Sequence, residues 1–136
     1  MIDNDKQGNA SKIMNRHGYE APGVAEVMTD RCIDMAAVIQ HTDYEELDII
    51  TANMNLLTAN LTVMLDQSRP QQTRFRKALQ QVAGQYDYCI IDNAPDINIS
   101  TINALVASDD VLVPITIDDF SLDGLAELKE QIDNTR

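Results

Sequence analysis

Aromatic residues are scarce in this chain: they make up 4% of its 136 residues, and tryptophan is absent. Because hydrophobic residues still reach 44%, the core must be built from Leu, Ile, Val, Ala and Met side chains. The same composition disfavours a disordered chain, since 136 residues can bury roughly two thirds of their unfolded surface. We therefore expect a folded protein with a mainly aliphatic core.

Basic residues are also few. Ten Lys and Arg stand against 22 Asp and Glu, giving a formal net charge of -12. Broad binding to phosphate backbones needs clustered Lys and Arg, so nucleic acid and anionic membranes are poor partners for these residues. One stretch runs against this trend, since Arg69, Arg74, Arg76 and Lys77 occur without an intervening acid. It predicts a solvated helix face or a docking patch for an acidic partner.

Long apolar segments are missing as well. No run approaches the ~20 residues needed to span a bilayer, and Met1 is followed by Ile-Asp-Asn-Asp rather than by a basic and then apolar signal segment. We therefore expect a cytoplasmic protein that does not associate with membranes. Cys32 and Cys89 are too few and too far apart for a disulfide framework or a metal-ligand spacing, which predicts packing thiols.

Short apolar runs alternate with amphipathic stretches along the whole chain. This pattern is typical of an α/β protein with a mainly parallel sheet flanked by helices. Residues 47–52, 88–92 and 111–117 are predicted strands, because each run is rich in β-branched or aliphatic residues. Pro114 interrupts the third run. No repeat or linker occurs, so residues 1–136 are expected to form one domain.

The sequence predicts four further helices, three of them from apolar side chains that recur with helical spacing. In chain order they contain Leu57, Leu61, Met64 and Leu65; Phe75, Leu79 and Val82; the short run Ile102 to Ala107, predicted without such spacing; and Leu122, Leu125, Leu128 and Ile132. We expect each stripe to be the buried face of a helix. Pro70 suits the first turn of the second helix, Ser100 or Thr101 opens the third, and Ser121 caps the fourth. A shorter helix is predicted over residues 24–28.

Two acidic segments contain the candidate metal-binding and catalytic residues. Asp92 ends the predicted buried strand, and ligands of open α/β sheets lie beyond the carboxyl ends of strands, where a carboxylate can hold Mg²⁺ and phosphates. Asp3 and Asp5 precede Gly8 in the first turn, where two carboxylates can hold metal-bound water and orient an attacking water. The alternatives are an Asp that only caps a turn and an ordinary acidic amino terminus.

Taken in this order, these segments resemble the ParA/MinD (Soj-like) family of deviant Walker ATPases, which act in plasmid and chromosome partitioning. Residues 2–11, with the sequence Ile-Asp-Asn-Asp-Lys-Gln-Gly-Asn-Ala-Ser, resemble the Asp-x-Asp-Pro-Gln-Gly-Asn turn of that family. Residues 86–95 resemble its Walker B strand and residues 101–109 the helix that follows. Residues 111–117 resemble its next strand, and residues 120–125 the start of the helix after it. The resemblance implies a P-loop NTPase-like fold of the SIMIBI type.

The resemblance also implies roles for individual residues. Asp92 would hold Mg²⁺ through water with Asp3 beside it, and Asp5 would position the hydrolytic water. The residues implied to contact the nucleotide are Gln7, Gly8, Asn9 and Pro114. Two positions depart from the family pattern: Lys6 stands where Pro is usual, and Asp96 where a small hydroxyl residue is common.

The phosphate loop of the family is absent from this sequence. No Gly-x-x-x-x-Gly-Lys-Ser/Thr occurs, and none of the five glycines is followed by Lys. In the family, the phosphate-loop strand lies between the Walker B strand and the strand resembling residues 111–117. We therefore expect the chain to correspond to the central portion of such a domain, without the phosphate-loop strand and the C-terminal part. Unpaired sheet edges then favour a homo-oligomer or a strand-exchanged dimer.

Three functions follow from these observations. The first is a ParA-type partitioning ATPase that uses ATP and Mg²⁺, with a centromere-binding protein and DNA as partners of the intact family member; this chain alone is expected to bind little or no ATP. The second is a non-catalytic module that binds proteins through exposed sheet edges. The third is a receiver-like phosphoacceptor domain, disfavoured because no Lys follows residues 111–117 until Lys129.

Overall fold

The computed structural model describes residues 1–114 and 119–135, without the side chains of residues 119–123. Its strands are β1 (Ile2–Asn4), β2 (Gln40–His41), β3 (Asp48–Ile49) and β4 (Ile91–Asn93). Its helices are α1 (Asn9–Ile13), α2 (Val24–Thr29), α3 (Met35–Val38), α4 (Asn55–Leu65), α5 (Arg74–Leu79), α6 (Ile99–Ala107) and α7 (Asp119–Thr135), with a 3₁₀ turn over Gln80–Val82. The alternation of strands and helices confirms the α/β prediction.

Strand β1 is the centre of the sheet. It pairs in parallel with β4, so that Ile2 lies opposite Ile91 and Asp3 opposite Asp92. On its other side, Ile2 forms a parallel bridge with Ile50, where the Asp3 N–H donates to the Ile50 carbonyl at 3.0 Å. Strands β2 and β3 form a separate antiparallel hairpin. Three parallel segments therefore place the end of β1 between two neighbours.

The three predicted strands agree with the structure to different degrees. The first is shortened to β3, although Ile50 extends it into the parallel bridge. The second is shifted to Ile91–Asn93 and is not buried: Ile90 is 67% exposed, and among the described residues no strand pairs with the second edge of β4. The third prediction is wrong for residues 111–114, which form no strand, and residues 115–117 lie outside the described residues.

Helices α2, α4, α5 and α6 pack around one aliphatic core against β1. The fully buried side chains there include Val24, Met28, Met35, Val38, Leu56, Val63 and Phe75. The predicted aliphatic core is confirmed, with Phe75 as its aromatic member. The two cysteines were predicted as packing thiols, but both are exposed. Among the described residues, no helix has the length and apolar character that a bilayer crossing requires.

Helix α4 forms where the sequence predicts a helix, but it buries the other face. Leu56, Ala59 and Val63 point into the core. The predicted buried stripe, Leu57, Leu61, Met64 and Leu65, is exposed by 49%, 59%, 60% and 82%. Both stripes have helical spacing, so periodicity could not choose between them. The burial prediction for this helix is wrong.

Several helix ends also differ from expectation. Helix α6 begins at Ile99, one turn earlier than predicted, because the Asn98 carboxamide oxygen accepts the Thr101 N–H at 3.0 Å. Helix α5 begins at Arg74, so Pro70 precedes it. Helix α7 begins at Asp119, which leaves Ser121 inside the helix rather than at its cap. Helix α2 confirms the predicted helix over residues 24–28.

Asn103 is a buried polar side chain whose hydrogen bonds connect α6 to the start of α5. Its carboxamide oxygen accepts the backbone N–H groups of Arg74 at 2.7 Å and Phe75 at 3.3 Å. Its amide nitrogen donates to the carbonyls of Gln71 at 2.7 Å and Ile99 at 2.8 Å. One side chain thus satisfies two of the free N–H groups at a helix start.

Two of the four residues in the basic stretch belong to a network around Asp66. The Arg74 guanidinium donates to Asp66 at 2.9 Å and to the Met28 carbonyl at 2.9 Å, and it is almost fully buried. Arg69 reaches Asp66 at 3.3 Å and the Thr29 carbonyl at 2.5 Å. Both arginines therefore cap the end of α2. Only Arg76 and Lys77 of that stretch are exposed, so the predicted basic patch is reduced to two residues.

The Asn103→Leu variant should lower the free energy of unfolding by about 2–4 kcal/mol, because two buried backbone N–H groups lose their acceptor. Asn103→Asp keeps the acceptor and should fall between this variant and wild type. Asn55→Ala, at an exposed position of α4, is the matched control and should change stability by less than about 0.5 kcal/mol. Urea denaturation followed by circular dichroism measures all three. Equal effects of Asn103→Leu and Asn55→Ala would contradict the assigned role.

Asp66 should make stability depend on acid pH. Hydrogen bonds from Ser68, and then from Arg74 and Arg69, hold the pKa of the Asp66 carboxyl well below its usual value of 3.8. A carboxyl with a lowered pKa stabilises the fold above its unfolded pKa, and that stabilisation is lost as the pH falls through the folded pKa. Asp66→Asn should therefore lower the melting temperature at pH 7. Below about pH 4, the melting temperature of Asp66→Asn should fall less with pH than that of wild type. Asp43→Asn, which removes an exposed ion pair with Arg16, is the control; identical pH profiles for the two variants would contradict this role.

Candidate functional site

Three carboxylates lie near the carboxyl end of the sheet, close enough for the charges of two of them to act on the third. Asp3 and Asp92 lie opposite each other on β1 and β4, and Asp5 follows β1 directly. Partial burial, and then the charges of Asp3 and Asp5, raise the pKa of the Asp92 carboxyl above its usual value. The structure therefore brings together the three acidic residues that the sequence singles out. Their mutual repulsion favours a bound cation.

Asp3 is fully buried and already hydrogen-bonded. One carboxylate oxygen accepts the Ser11 N–H at 2.8 Å and the Ser11 hydroxyl at 2.6 Å, and the other accepts the Asp5 N–H at 3.3 Å. The Ser11 hydroxyl in turn accepts the Ala52 N–H at 3.0 Å. The sequence alone did not identify Ser11 as part of the site. Its indication in the sequence was a hydroxyl residue three positions after Gly8. The Asp3 carboxyl group is thus held in one position by its neighbours.

The turn after β1 is shaped by Asp5 and Gly8. The Asp5 carboxylate accepts the Gln7 N–H at 2.9 Å, and the Asp5 carbonyl accepts the Gly8 N–H at 2.8 Å. Gly8 has a φ of 62°, and a Cβ there would lie 2.6 Å from the Ala52 carbonyl oxygen. Glycine is therefore required at this position. Asn9 then begins α1.

The two departures from the family pattern face each other. The Lys6 ammonium lies 3.5 Å from the Asp96 carboxylate, and both side chains are partly exposed. The negative charge that Asp96 adds near the site is therefore offset by Lys6. The sequence showed both residues but gave no sign of their pairing.

A second pair, which sequence reasoning missed, joins the ends of β1 and β4. The Asn4 amide nitrogen donates to the Asn93 side-chain oxygen at 2.8 Å. The Asn4 side-chain oxygen is buried and has no hydrogen-bond partner. Pro114 is exposed in a segment without strand structure, and its contact with the nucleotide stays a prediction.

The donor set fits magnesium only together with other ligands. Within residues 1–114 and 119–135, no group of three or more His, Cys, Asp or Glu side chains is arranged to hold a metal ion. Mg²⁺ is commonly held by one or two carboxylates while water and phosphate oxygens complete its shell. Asp92, exposed beside the buried charge of Asp3, is the carboxylate available for such a role.

Comparison with other sequences identifies relatives over the whole chain. A family profile described as an AAA domain matches residues 1–136. The sporulation initiation inhibitor protein Soj of Bacillus subtilis is 37% identical over 131 residues, which cover 94% of this chain and 50% of Soj. The chromosome partitioning protein ParA of Myxococcus xanthus is 32% identical over 135 residues, covering 98% of this chain and 46% of that protein. The chain thus spans about half the length of the curated relatives it matches.

Solved structures show the same fold. Cobyrinic acid a,c-diamide synthase from Mycobacterium smegmatis, with a bound ATP analog and magnesium, superposes with a TM-score of 0.86 at 26% identity, over 98% of this chain and 53% of the synthase. A plasmid partition protein from Borrelia burgdorferi has a TM-score of 0.85 at 21% identity, over 98% and 59% of the two chains. These matches confirm the predicted P-loop NTPase-like fold. The chain therefore belongs to the AAA-domain family, and Soj and ParA proteins are among its relatives.

Proposed function

We propose that this chain carries the magnesium-binding and water-positioning half of a ParA-type ATPase site that serves plasmid or chromosome segregation. One observation carries the proposal: Asp3 and Asp92 lie in register on neighbouring parallel strands, with Asp5 on the turn that follows. The raised pKa of Asp92 supports it, because the charges of Asp3 and Asp5 contribute to that shift. A cation relieves this repulsion.

Each carboxylate has a distinct part in the proposal. Asp92 is exposed and would hold Mg²⁺. Asp3 is fixed by Ser11 and acts through its charge. Asp5, whose carboxylate is anchored by the Gln7 N–H, orients the attacking water. Bound Mg²⁺ would neutralise part of the negative charge of the phosphates.

The phosphates need a cradle that this sequence does not contain. Phosphate loops hold phosphates with backbone N–H groups and a Lys, and no Gly-x-x-x-x-Gly-Lys-Ser/Thr occurs here. We propose that the cradle comes from polypeptide other than these 136 residues, and that ATP binds to this chain only weakly without it. DNA and a centromere-binding protein are the proposed partners, and the cytoplasm is the proposed location.

Magnesium alone should already stabilise the chain. At millimolar MgCl₂, the melting temperature should rise relative to NaCl of equal ionic strength, because the cation binds the folded state at Asp92. Asp92→Asn should abolish this rise and should also raise the melting temperature without Mg²⁺, since the repulsion from Asp3 and Asp5 is removed. Asp96→Asn removes the same charge nearby and should keep the Mg²⁺ effect. A full effect in Asp92→Asn would contradict the site.

Hydrolysis is tested on a version extended upstream to include any phosphate loop encoded there. Calorimetric titration with Mg-ATP should show weak or no binding by the 136-residue chain and clear binding by the extended version. In that version, Asp5→Ala should lower the hydrolysis rate by roughly 10²–10⁴-fold while ATP binding is kept. Unchanged hydrolysis in Asp5→Ala would refute its role. Labelling of Asp92 by acetyl phosphate would instead favour the phosphoacceptor alternative.

Within residues 1–114 and 119–135 no strand pairs with the second edge of β4, and this favours a second candidate function, binding of another chain by strand addition or strand exchange. Tyr88 and Ile90 on the approach to β4 are 88% and 67% exposed, and Leu112 is 92% exposed. An unpaired apolar edge pairs readily with another strand. Ile90→Lys should therefore convert a dimer into a monomer in light scattering. Ile13→Lys, at a position 71% exposed on α1, is the control; dimers that persist in Ile90→Lys would exclude this edge.

A further inference from the structure

His17 contacts the acidic turn although it lies outside it. The histidine belongs to the loop between α1 and α2, and its side chain is half-buried. A Cβ added to Gly8 would lie 2.6 Å from the His17 Cδ2 atom and 3.1 Å from its Nε2 atom. We propose that His17 is a positioning residue for this turn and, through the turn, for Asp5. The step from Asp5 to the attacking water rests on the proposed function.

Gly8 is the conformationally weak point of the turn. It lies in the left-handed region with a φ of 62° and has no side chain of its own to pack. The side of Gly8 on which other residues carry a Cβ is occupied by the His17 ring and by the Ala52 carbonyl oxygen. The Ala52 carbonyl is part of the backbone, so of these two contacts the His17 ring is the one that a substitution can remove. Without the ring, Gly8 would have room to leave this conformation.

The backbone on both sides of His17 is held by hydrogen bonds. The Arg16 N–H donates to the Ser11 carbonyl at 2.9 Å. The Asn53 side-chain amide donates to the Gly18 carbonyl at 2.7 Å. Because both neighbouring residues are fixed, the imidazole loses little further conformational freedom when it packs on the turn. The loop therefore presents the ring to the turn.

Tyr19 supports the imidazole from within the same loop. The ring centroids of His17 and Tyr19 are 5.9 Å apart, and the ring planes are nearly perpendicular, at 88°. This edge-to-face arrangement is a favourable geometry for aromatic pairs. Tyr19 is 57% exposed, so its removal would loosen the His17 ring with little effect on the core.

Two hydrogen bonds connect the position of Gly8 to Asp5. The Gly8 N–H donates to the Asp5 carbonyl at 2.8 Å, and the Gln7 N–H donates to the Asp5 carboxylate at 2.9 Å. A turn that opens at Gly8 loses the first bond directly and frees the Gln7 peptide that anchors the carboxylate. Such a loss matters for catalysis, because a displacement of about 1 Å can cost roughly 10²-fold in rate. His17 thus acts on the reaction without touching the reacting atoms.

Hydrogen exchange of the Gly8 amide, followed by NMR, tests the contact on the 136-residue chain without nucleotide. His17→Ala should speed exchange of the Gly8 N–H by roughly tenfold, because the turn opens more often. The Asp3 N–H, which donates to the Ile50 carbonyl in the sheet, should keep its wild-type rate. A difference between the two amides separates a local role of His17 from a general loss of stability.

Three further variants sharpen the exchange experiment. His17→Phe retains a flat ring and should restore slow exchange at Gly8. Tyr19→Ala should give a rate between those of wild type and His17→Ala, since the ring is loosened but still present. His41→Ala, at the other histidine of the chain, is the matched control: its side chain is 92% exposed, and its removal should leave the Gly8 rate unchanged.

A kinetic test separates the role of His17 from the proposed function. In the version extended upstream, His17→Ala should lower kcat for ATP hydrolysis by roughly tenfold, while the KM for Mg-ATP stays within about twofold of wild type. His17→Phe should recover most of the rate. Unchanged hydrolysis in Asp5→Ala would refute the proposed function, whereas the exchange rate of Gly8 would still decide whether His17 holds the turn.

Four results would overturn the proposal. The first is a Gly8 exchange rate that His17→Ala leaves unchanged, and the second is equal acceleration at Gly8 and Asp3. The third is a His17→Phe variant that behaves like His17→Ala. The fourth is normal kcat in His17→Ala, in a protein that Asp5→Ala inactivates. Circular dichroism verifies the fold of each variant; should His17→Ala fail to fold, an unchanged Gly8 rate in Tyr19→Ala would overturn the proposal instead.

Discussion

The three residues of β1 are the constraint on which the rest of this structure depends. They hydrogen-bond to β4 on one side and to the segment around Ile50 on the other, so neither neighbour is held in the sheet without them. Ile2 faces the core, while Asp3 fixes Ser11 and thereby the start of α1. The same short strand orders the hydrophobic core and the acidic site, and a shift in its register would disturb both.

Buried polar groups, rather than apolar packing alone, define how the layers meet. Asn103 joins α5 to α6, Arg74 joins α5 to the end of α2, and the Ser11 hydroxyl joins α1 to Ala52. Each of these side chains has its partners supplied by distant parts of the sequence. An aliphatic core specifies little orientation by itself, because its side chains make non-directional contacts. The hydrogen bonds add the directional information that such a core lacks.

Much of the fold and of the acidic site could be predicted because their signals are local. The helix over residues 24–28 and the position of Asp92 at a strand end followed from local sequence, whereas the juxtaposition of Asp3 with Asp92 followed from the resemblance of both segments to the ParA/MinD family. The exposed face of α4 could not be predicted, since Leu56 and Leu57 each begin an apolar stripe with helical spacing. Asn98, Asn103 and Ser11 escaped notice because their roles depend on partners far along the chain or on backbone geometry.

The pairing of Lys6 with Asp96 has an evolutionary consequence. Each residue alone would disturb the acidic turn or the loop after β4, whereas together they restore a neutral local balance at 3.5 Å. Replacing only one of them leaves an uncompensated charge beside Asp92. Substitutions at the two positions should therefore be correlated. Relatives should have either both charged residues or neither, so the residue at position 96 should depend on the residue at position 6.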